Sequence, residues 1–229
     1  MAYFPFFIDL RGRKCLIVGG GRVAVRKLEK LSSFGADITL VAPEICDEAA
    51  AYNALTFRRK FEDTDLDGVF LVIAAADDRQ LNQHIYTLCT ERGILVNTVD
   101  DIENCGFIFP ALVHKGDLTV GISTGGKCPA MAKYIRKLID EQVNEKMLFC
   151  TDILSRYRPV IKEMLSSEAD RAYAMDRLLE LCIKNDTPPD DIKIMRLLEE
   201  MKAIEDQDRN TKKQARSCSD RNGHFSNKG

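Results

Sequence analysis

Residues Lys14 to Ala24, KCLIVGGGRVA, run from a short apolar stretch through three consecutive glycines into residues with helical spacing. Gly19 to Ala24 fits G-x-G-x-x-A, a permitted form of the dinucleotide fingerprint. In that pattern Gly19 allows a tight turn, Gly21 lets the backbone approach a pyrophosphate, and Ala24 keeps the helix close to the strand. The N–H groups of Gly21, Arg22 and Val23 then face the phosphates, and the helix dipole favours an anion there by about 0.3–1 kcal/mol. Such glycines also suit a turn that holds no ligand. Their place between an apolar strand and a helix decides for a dinucleotide seat.

Outward from this point, short apolar runs alternate with helical stretches, the pattern of βαβ units feeding a parallel sheet. Strands are expected at 14–18, 37–42, 56–59, 69–75 and 95–98, with helices at 23–34 and 79–92. The fold class is therefore α/β, with a Rossmann-type parallel sheet over residues 1–112. Apolar segments at 107–112 and 118–123 then lead through Ser-Thr-Gly-Gly-Lys-Cys-Pro to a helix from about Pro129, a residue suited to a first helical turn. This middle segment extends over 113–146. A small C-terminal helical domain over 147–207 is expected to break at Pro159, at Ser166-Ser167 and at Thr187-Pro188-Pro189. The remainder, 208–229, is polar and locally basic and reads as a disordered tail.

The 229 residues are 45% hydrophobic and 30% charged, enough to bury a core, and the formal net charge of -2 points away from nucleic acid as a main partner. The opening MAYFPFFIDLRGRK has no leading positive charge, and Asp9 interrupts its apolar run short of a signal peptide or membrane span. A cytoplasmic protein is expected, with no membrane partner. The eight cysteines form no C-x-x-C pair and are read as reduced thiols.

An acidic residue is expected about 20 positions after the fingerprint to bind the adenosine ribose. The second strand instead ends in Val41-Ala42-Pro43-Glu44, so Glu44 is the candidate. No arginine or lysine is expected to follow that would receive a 2′-phosphate, which favours NAD over NADP. Short-chain dehydrogenase chemistry is disfavoured, because Tyr134 and Lys137 stand one residue too close for Tyr-x-x-x-Lys.

Asp100 and Asp101 follow the fifth strand, and in this fold ligands collect at the carboxyl ends of strands. An aspartate there is placed to take a proton as hydride leaves for a nicotinamide, or simply to make a turn. Asp77 and Asp78 after the fourth strand read as helix caps. Ser123-Thr124-Gly125-Gly126-Lys127 suits a backbone anion nest, although it lacks the P-loop order. Around it stand His114, Lys115, Lys133, Arg136 and Lys137, opposed by Asp117, as either a solvated face or a cradle for a polycarboxylate. His84, His114 and His224 make no ligand cluster, and no metal site is expected.

Together F-P-F-F-I-D-L-R-G-R-K-C-L-I-V-G-G-G-R-V-A-x-R-K, V-A-P, A-A-A-D-D-x-x-x-N, V-N-T-V-D, F-I-F-P-A and S-T-G-G-K-C-P-A resemble the siroheme-synthase family of precorrin-2 dehydrogenases over roughly residues 3 to 140. The resemblance implies NAD-dependent oxidation of precorrin-2 to sirohydrochlorin. It places cofactor contacts on Arg22, Val23, Pro43 and Glu44, and the family's important aspartate on Asp100. It also implies a homodimer in which 113–146 is the dimerisation segment and Ser123, Thr124, Gly125 and Lys127 line the substrate cleft. Cys128 stands where family members often carry serine, so regulation through a hydroxyl is not expected. The methyltransferase domain fused to some relatives is expected to be absent, with precorrin-2 supplied by another protein. Some family members also insert ferrous iron into sirohydrochlorin, and Asp100 would suit both reactions. A reading of another class is a non-catalytic NAD-binding sensor.

Overall fold

The computed structural model describes residues 3–101, 103–185 and 187–222. The expected tail therefore lies partly outside it, as does His224. The chain divides into two compact units, Met1–Ala111 with Ser123–Ala132, and Leu112–Ile122 with Lys133–Gly229.

The first unit is a parallel sheet in the order β3-β2-β1-β4-β5. Its strands are β1 (Lys14–Val18), β2 (Asp37–Val41), β3 (Leu55–Phe57), β4 (Leu71–Ala74) and β5 (Leu95–Thr98), with helices α1 (Arg22–Ser32), α2 (Asp47–Ala50) and α3 (Arg79–Arg92) between them. The central strands are buried on both faces, which is why Cys15–Val18 and Leu71–Ala74 are unbroken apolar runs and not alternating ones. On one side Ile17, Leu40 and Ile73 pack with Ala24, Leu28 and Leu31 of α1. On the other, Leu16, Val41 and Val72 pack with Ile85 and Cys89 of α3.

The apolar segment at 107–112 becomes strand only from Ala111. Residues after β5 return beside it, with an antiparallel bridge between Asn97 and Cys105 and a bond from Gly106 N to Val96 O (2.9 Å). The next strand, β6 (Ala111–Lys115), starts only after Pro110, which has no N–H to offer a ladder. It pairs with β7 (Leu118–Ile122). Helix α4 (Pro129–Gln142) opens on Pro129, as the sequence predicts.

In the second unit α5 (Glu145–Met164), α6 (Glu168–Lys184) and α7 (Asp191–Asn222) follow. Ile153, Tyr157 and Ile161 of α5, Ala174, Leu178 and Cys182 of α6, and Ile194, Leu198 and Met201 of α7 form one apolar cluster. These spacings of three or four put the residues on one face of each helix. The break at Ser166-Ser167 is held by Glu205, 5% exposed, whose Oε1 accepts from the N–H of Ser166 (2.9 Å) and Ser167 (3.2 Å). The Ser166 hydroxyl and the Lys202 ammonium hold the Glu205 carboxyl down to about 2.

Two expectations fail here. Pro159 lies inside α5 and does not end it. Both Pro159 and Ser155, the residue whose carbonyl loses its partner, are exposed, so water takes the freed group. The segment from 208 is helical through Asn222 and not disordered, because glutamine, lysine, arginine and alanine favour a helix and no glycine or proline interrupts it before Gly223. No helix among the described residues is long and apolar enough to cross a membrane.

Candidate cofactor seat and active-site edge

Strand register fixes the site. Val18, Ala74 and Thr98 are level across β1, β4 and β5, so the turns after them lie on one edge at the carboxyl ends of the strands. Neighbouring strands are about 4.8 Å apart, which puts the turn after β5 about 10 Å from the glycines after β1.

The three glycines have separate reasons. Gly19 has φ +130, and a Cβ there would fall 2.2 Å from the carbonyl oxygen of Ala75. At Gly20 a Cβ would fall 2.0 Å from the carbonyl oxygen of Glu44. At Gly21 a Cβ would meet no heavy atom within 4 Å, so the space over that residue is open. The protein's own packing therefore demands the first two glycines, and the third leaves room for a pyrophosphate against the backbone. Gly21 is also the N-cap of α1, with no side-chain cap bond and no acidic residue in the first turn. Arg22 is exposed and Val23 half-buried, both at the start of α1. These residues fit a dinucleotide.

The loop after β4 is pinned by Asn82, which accepts from Ala76 N (3.1 Å) and donates to Ala76 O (2.8 Å). Asp78 caps α3 by accepting from Gln80 N (2.8 Å) and Leu81 N (3.3 Å), while Asp77 precedes the cap. After β2, Pro43 and Glu44 are exposed. Beside them the Arg58 guanidinium, at the end of the neighbouring β3, donates to Ile45 O (3.1 Å). Reading the residues just after β2 missed this cation, because strand pairing and not sequence brings it there.

Asp100 is exposed and has φ +59, the left-handed region that aspartate tolerates better than most residues. Its neighbour Asp101 is turned to the backbone and accepts from Asn104 N (3.2 Å) and Nδ2 (2.7 Å). The Cys105 thiol donates to Thr98 O (3.2 Å) and Asp101 O (3.0 Å), bracing the turn on both sides of Asp100. Burial pushes that thiol up, away from thiolate chemistry. Thr98 Oγ1 is buried and has no hydrogen-bond partner among the described residues. An orphaned hydroxyl at this edge is a second mark of a ligand-receiving surface.

In the turn before α4, Gly125 N donates to Ser123 Oγ (3.1 Å) and Cys128 N to Thr124 Oγ1 (3.1 Å). Lys127 N donates to Thr124 O (3.2 Å), and the Lys127 side chain is exposed. Much of the N–H complement expected for an anion nest thus closes the turn itself. In the second unit Lys115 Nζ donates to the carbonyls of Asp140 (2.7 Å) and Val143 (3.0 Å), and Lys137 pairs with Glu141 at 3.8 Å. Lys115 thereby satisfies the carboxyl end of α4, where a cation is favoured by the dipole. Among the described residues no group of three or more His, Cys, Asp or Glu side chains is arranged to hold a metal ion.

Comparison with known proteins agrees with this geometry. Residues 6–111 match a family model described as "Putative NAD(P)-binding", and residues 115–142 match one described as "Sirohaem biosynthesis protein central". Siroheme synthase of Thioalkalivibrio sulfidiphilus is 41% identical over 184 residues, covering 79% of this chain and 38% of that protein. That of Photorhabdus laumondii is 39% identical over 175 residues, covering 75% and 37%. Over this region the chain is similar to the siroheme synthases. It spans less than two-fifths of the length of these two relatives. A solved structure titled SirC, precorrin-2 dehydrogenase superposes with a TM-score of 0.68 at 24% identity, covering 88% of this chain and all of that one, and so shares the fold. The amino-terminal unit is accordingly a seat for a nicotinamide dinucleotide.

Proposed function

We propose that this chain oxidises precorrin-2 to sirohydrochlorin with NAD. The observation that carries the reading is that the opening over Gly21 and the exposed Asp100 stand on one sheet edge, separated by two strand spacings. The names of the relatives, siroheme synthase and precorrin-2 dehydrogenase, supply the substrate class. When bound, the dinucleotide supplies the hydride acceptor. The N–H groups of Arg22 and Val23 hold its pyrophosphate, and Pro43 and Glu44 line its ribose. Glu44 accepts from the ribose hydroxyls, which favours NAD, and the Arg58 guanidinium beside it is held by its bond to Ile45 O.

Precorrin-2 loses a hydride and a proton in this oxidation, and Asp100 accepts the proton at a carboxylate oxygen. The substrate's carboxylate arms meet Ser123, Thr124, Gly125 and Lys127. A homodimer through 113–146 is supported by α4, which exposes Met131, Tyr134 and Leu138 at spacings that share one face. The reaction takes place in the cytoplasm.

The test follows NADH formation when precorrin-2 is added. Asp100→Asn is expected to cut turnover by about 10²–10⁴-fold, the range for losing a general base, while NAD affinity stays unchanged. An Asp100→Asn variant that works at the native rate would sink the assignment. Ferrous ion added after the oxidation shows whether the same chain also metallates the product.

A further inference from the structure

Lys27 has no part in the reading above. It lies on α1, beyond the glycine seat, and a lysine on a surface helix ordinarily extends its head to water. Here Lys27 is half-buried. Its Nζ donates to Asn97 Oδ1 (3.2 Å) and lies 3.8 Å from the centre of the Phe109 ring. Asn97 is 7% exposed within β5, and its Nδ2 donates to Cys105 Sγ (3.3 Å) and Phe107 O (3.0 Å). Cys105 in turn bonds the carbonyls of Thr98 and Asp101, on either side of Asp100. A continuous series of contacts therefore runs from the helix that opens on Gly21 to the left-handed turn that presents Asp100.

We propose that Lys27 is a positioning residue that ties the Asp100 turn to the dinucleotide-seating helix, fixing the acid–base group relative to the cofactor. The link itself follows from the contacts, and only its kinetic consequence rests on the dehydrogenase reading. Geometry of this kind matters because a misplacement of about 1 Å can cost about a hundredfold in rate.

The link is sensitive to charge. Burial pushes the Lys27 ammonium down to about 8, and the Lys30 charge pushes it the same way. Arg26 and Lys30 act on it from α1, Cys105 and Asp100 from the segment after β5, and Phe109 covers it. As pH rises through about 8 the ammonium loses its proton. Its attraction to the ring face and its charge-assisted bond to Asn97 then weaken. An arginine would keep its charge throughout.

The experiment compares the full chain with Lys27→Met and Lys27→Arg from neutral to alkaline pH. Lys27→Met is expected to lower kcat by about tenfold to a hundredfold while the Kd for NAD, measured by calorimetry, stays unchanged. Lys27→Arg is expected to keep its neutral kcat and to lose the alkaline fall expected of the native chain. Native kcat in Lys27→Met, or an unaltered alkaline fall in Lys27→Arg, overturns the proposal. A second readout needs no turnover: the side-chain amide signal of Asn97 should titrate with a midpoint near 8 in the native chain and stay flat in Lys27→Met. A flat signal in the native chain also overturns it. If the native chain makes no NADH from precorrin-2, the dehydrogenase reading fails, and the amide titration alone decides the link.

Discussion

Helices α1 and α3 leave the same sheet edge from the adjacent strands β1 and β4, yet their first turns are finished differently. In α3 the Asp78 carboxylate accepts from two backbone N–H groups, so the chain itself caps that helix start. In α1 the corresponding place is Gly21, with no side-chain cap, no acidic residue in the first turn and open space where a Cβ would be. A helix start costs stability when its N–H groups go unpaired, and about 1 kcal/mol is usually recovered by a capping side chain. Helix α1 therefore lacks the side-chain stabilisation that α3 has and leaves its first N–H groups open. The same fold makes one closed start and one receptive start side by side.

The contrast is open to attack by making α1 resemble α3. Gly21→Asp gives α1 the cap that α3 has and sets a carboxylate where the pyrophosphate belongs. It should hold or raise thermal stability and weaken NAD binding by about a hundredfold or more, because like charges in contact cost several kcal/mol. Unchanged affinity in a calorimetric titration would mean that no phosphate sits there. Next in size is Gly20→Ala, whose Cβ would press on Glu44 O at 2.0 Å and Ile45 Cα at 2.8 Å. It should lower unfolding stability by about 1–3 kcal/mol, the usual cost of overpacking, read as a shift in the urea midpoint. The smallest effect belongs to Asp78→Ala, which should cost about 1 kcal/mol of stability and leave NAD affinity alone. A loss of affinity in that variant would show that the closed start also serves the cofactor.

Much of this edge is legible in the sequence. Gly19, Gly21 and Ala24 are recognisable because the fingerprint records what a pyrophosphate requires of a backbone, and the central strands β1 and β4 because buried parallel strands are continuous apolar runs. Gly20 stands at an unspecified position of the fingerprint, and its reason, contact with the loop after β2, exists only once the chain is folded. Nothing in the spacing of α1 separates Lys27 from the other charged residues of that helix. The clue was on the other partner: Asn97, a polar residue between Val96 and Thr98 in a buried strand, has to find hydrogen bonds, and a lysine and a returning chain segment provide them. Arg58 was hidden for a related reason, since its position beside Ile45 depends on the pairing of β3 with β2. Pro159 misled because the rule for proline in a helix weighs the lost bond without knowing that this one faces water.

The backbone contacts at Gly19 and Gly20 also bear on how this chain can change over time. When a new side chain collides with another side chain, a second substitution that trims the neighbour restores the fit. The obstacles at these two positions are the carbonyls of Ala75 and Glu44, and every residue that might replace Ala75 or Glu44 carries the same carbonyl. No compensating substitution at the point of contact exists, so a lineage that loses either glycine has no short way back. Gly21 is under no such constraint. Only the proposed pyrophosphate contact would hold it, so among descendants that have abandoned a dinucleotide it should be the first of the three to be lost.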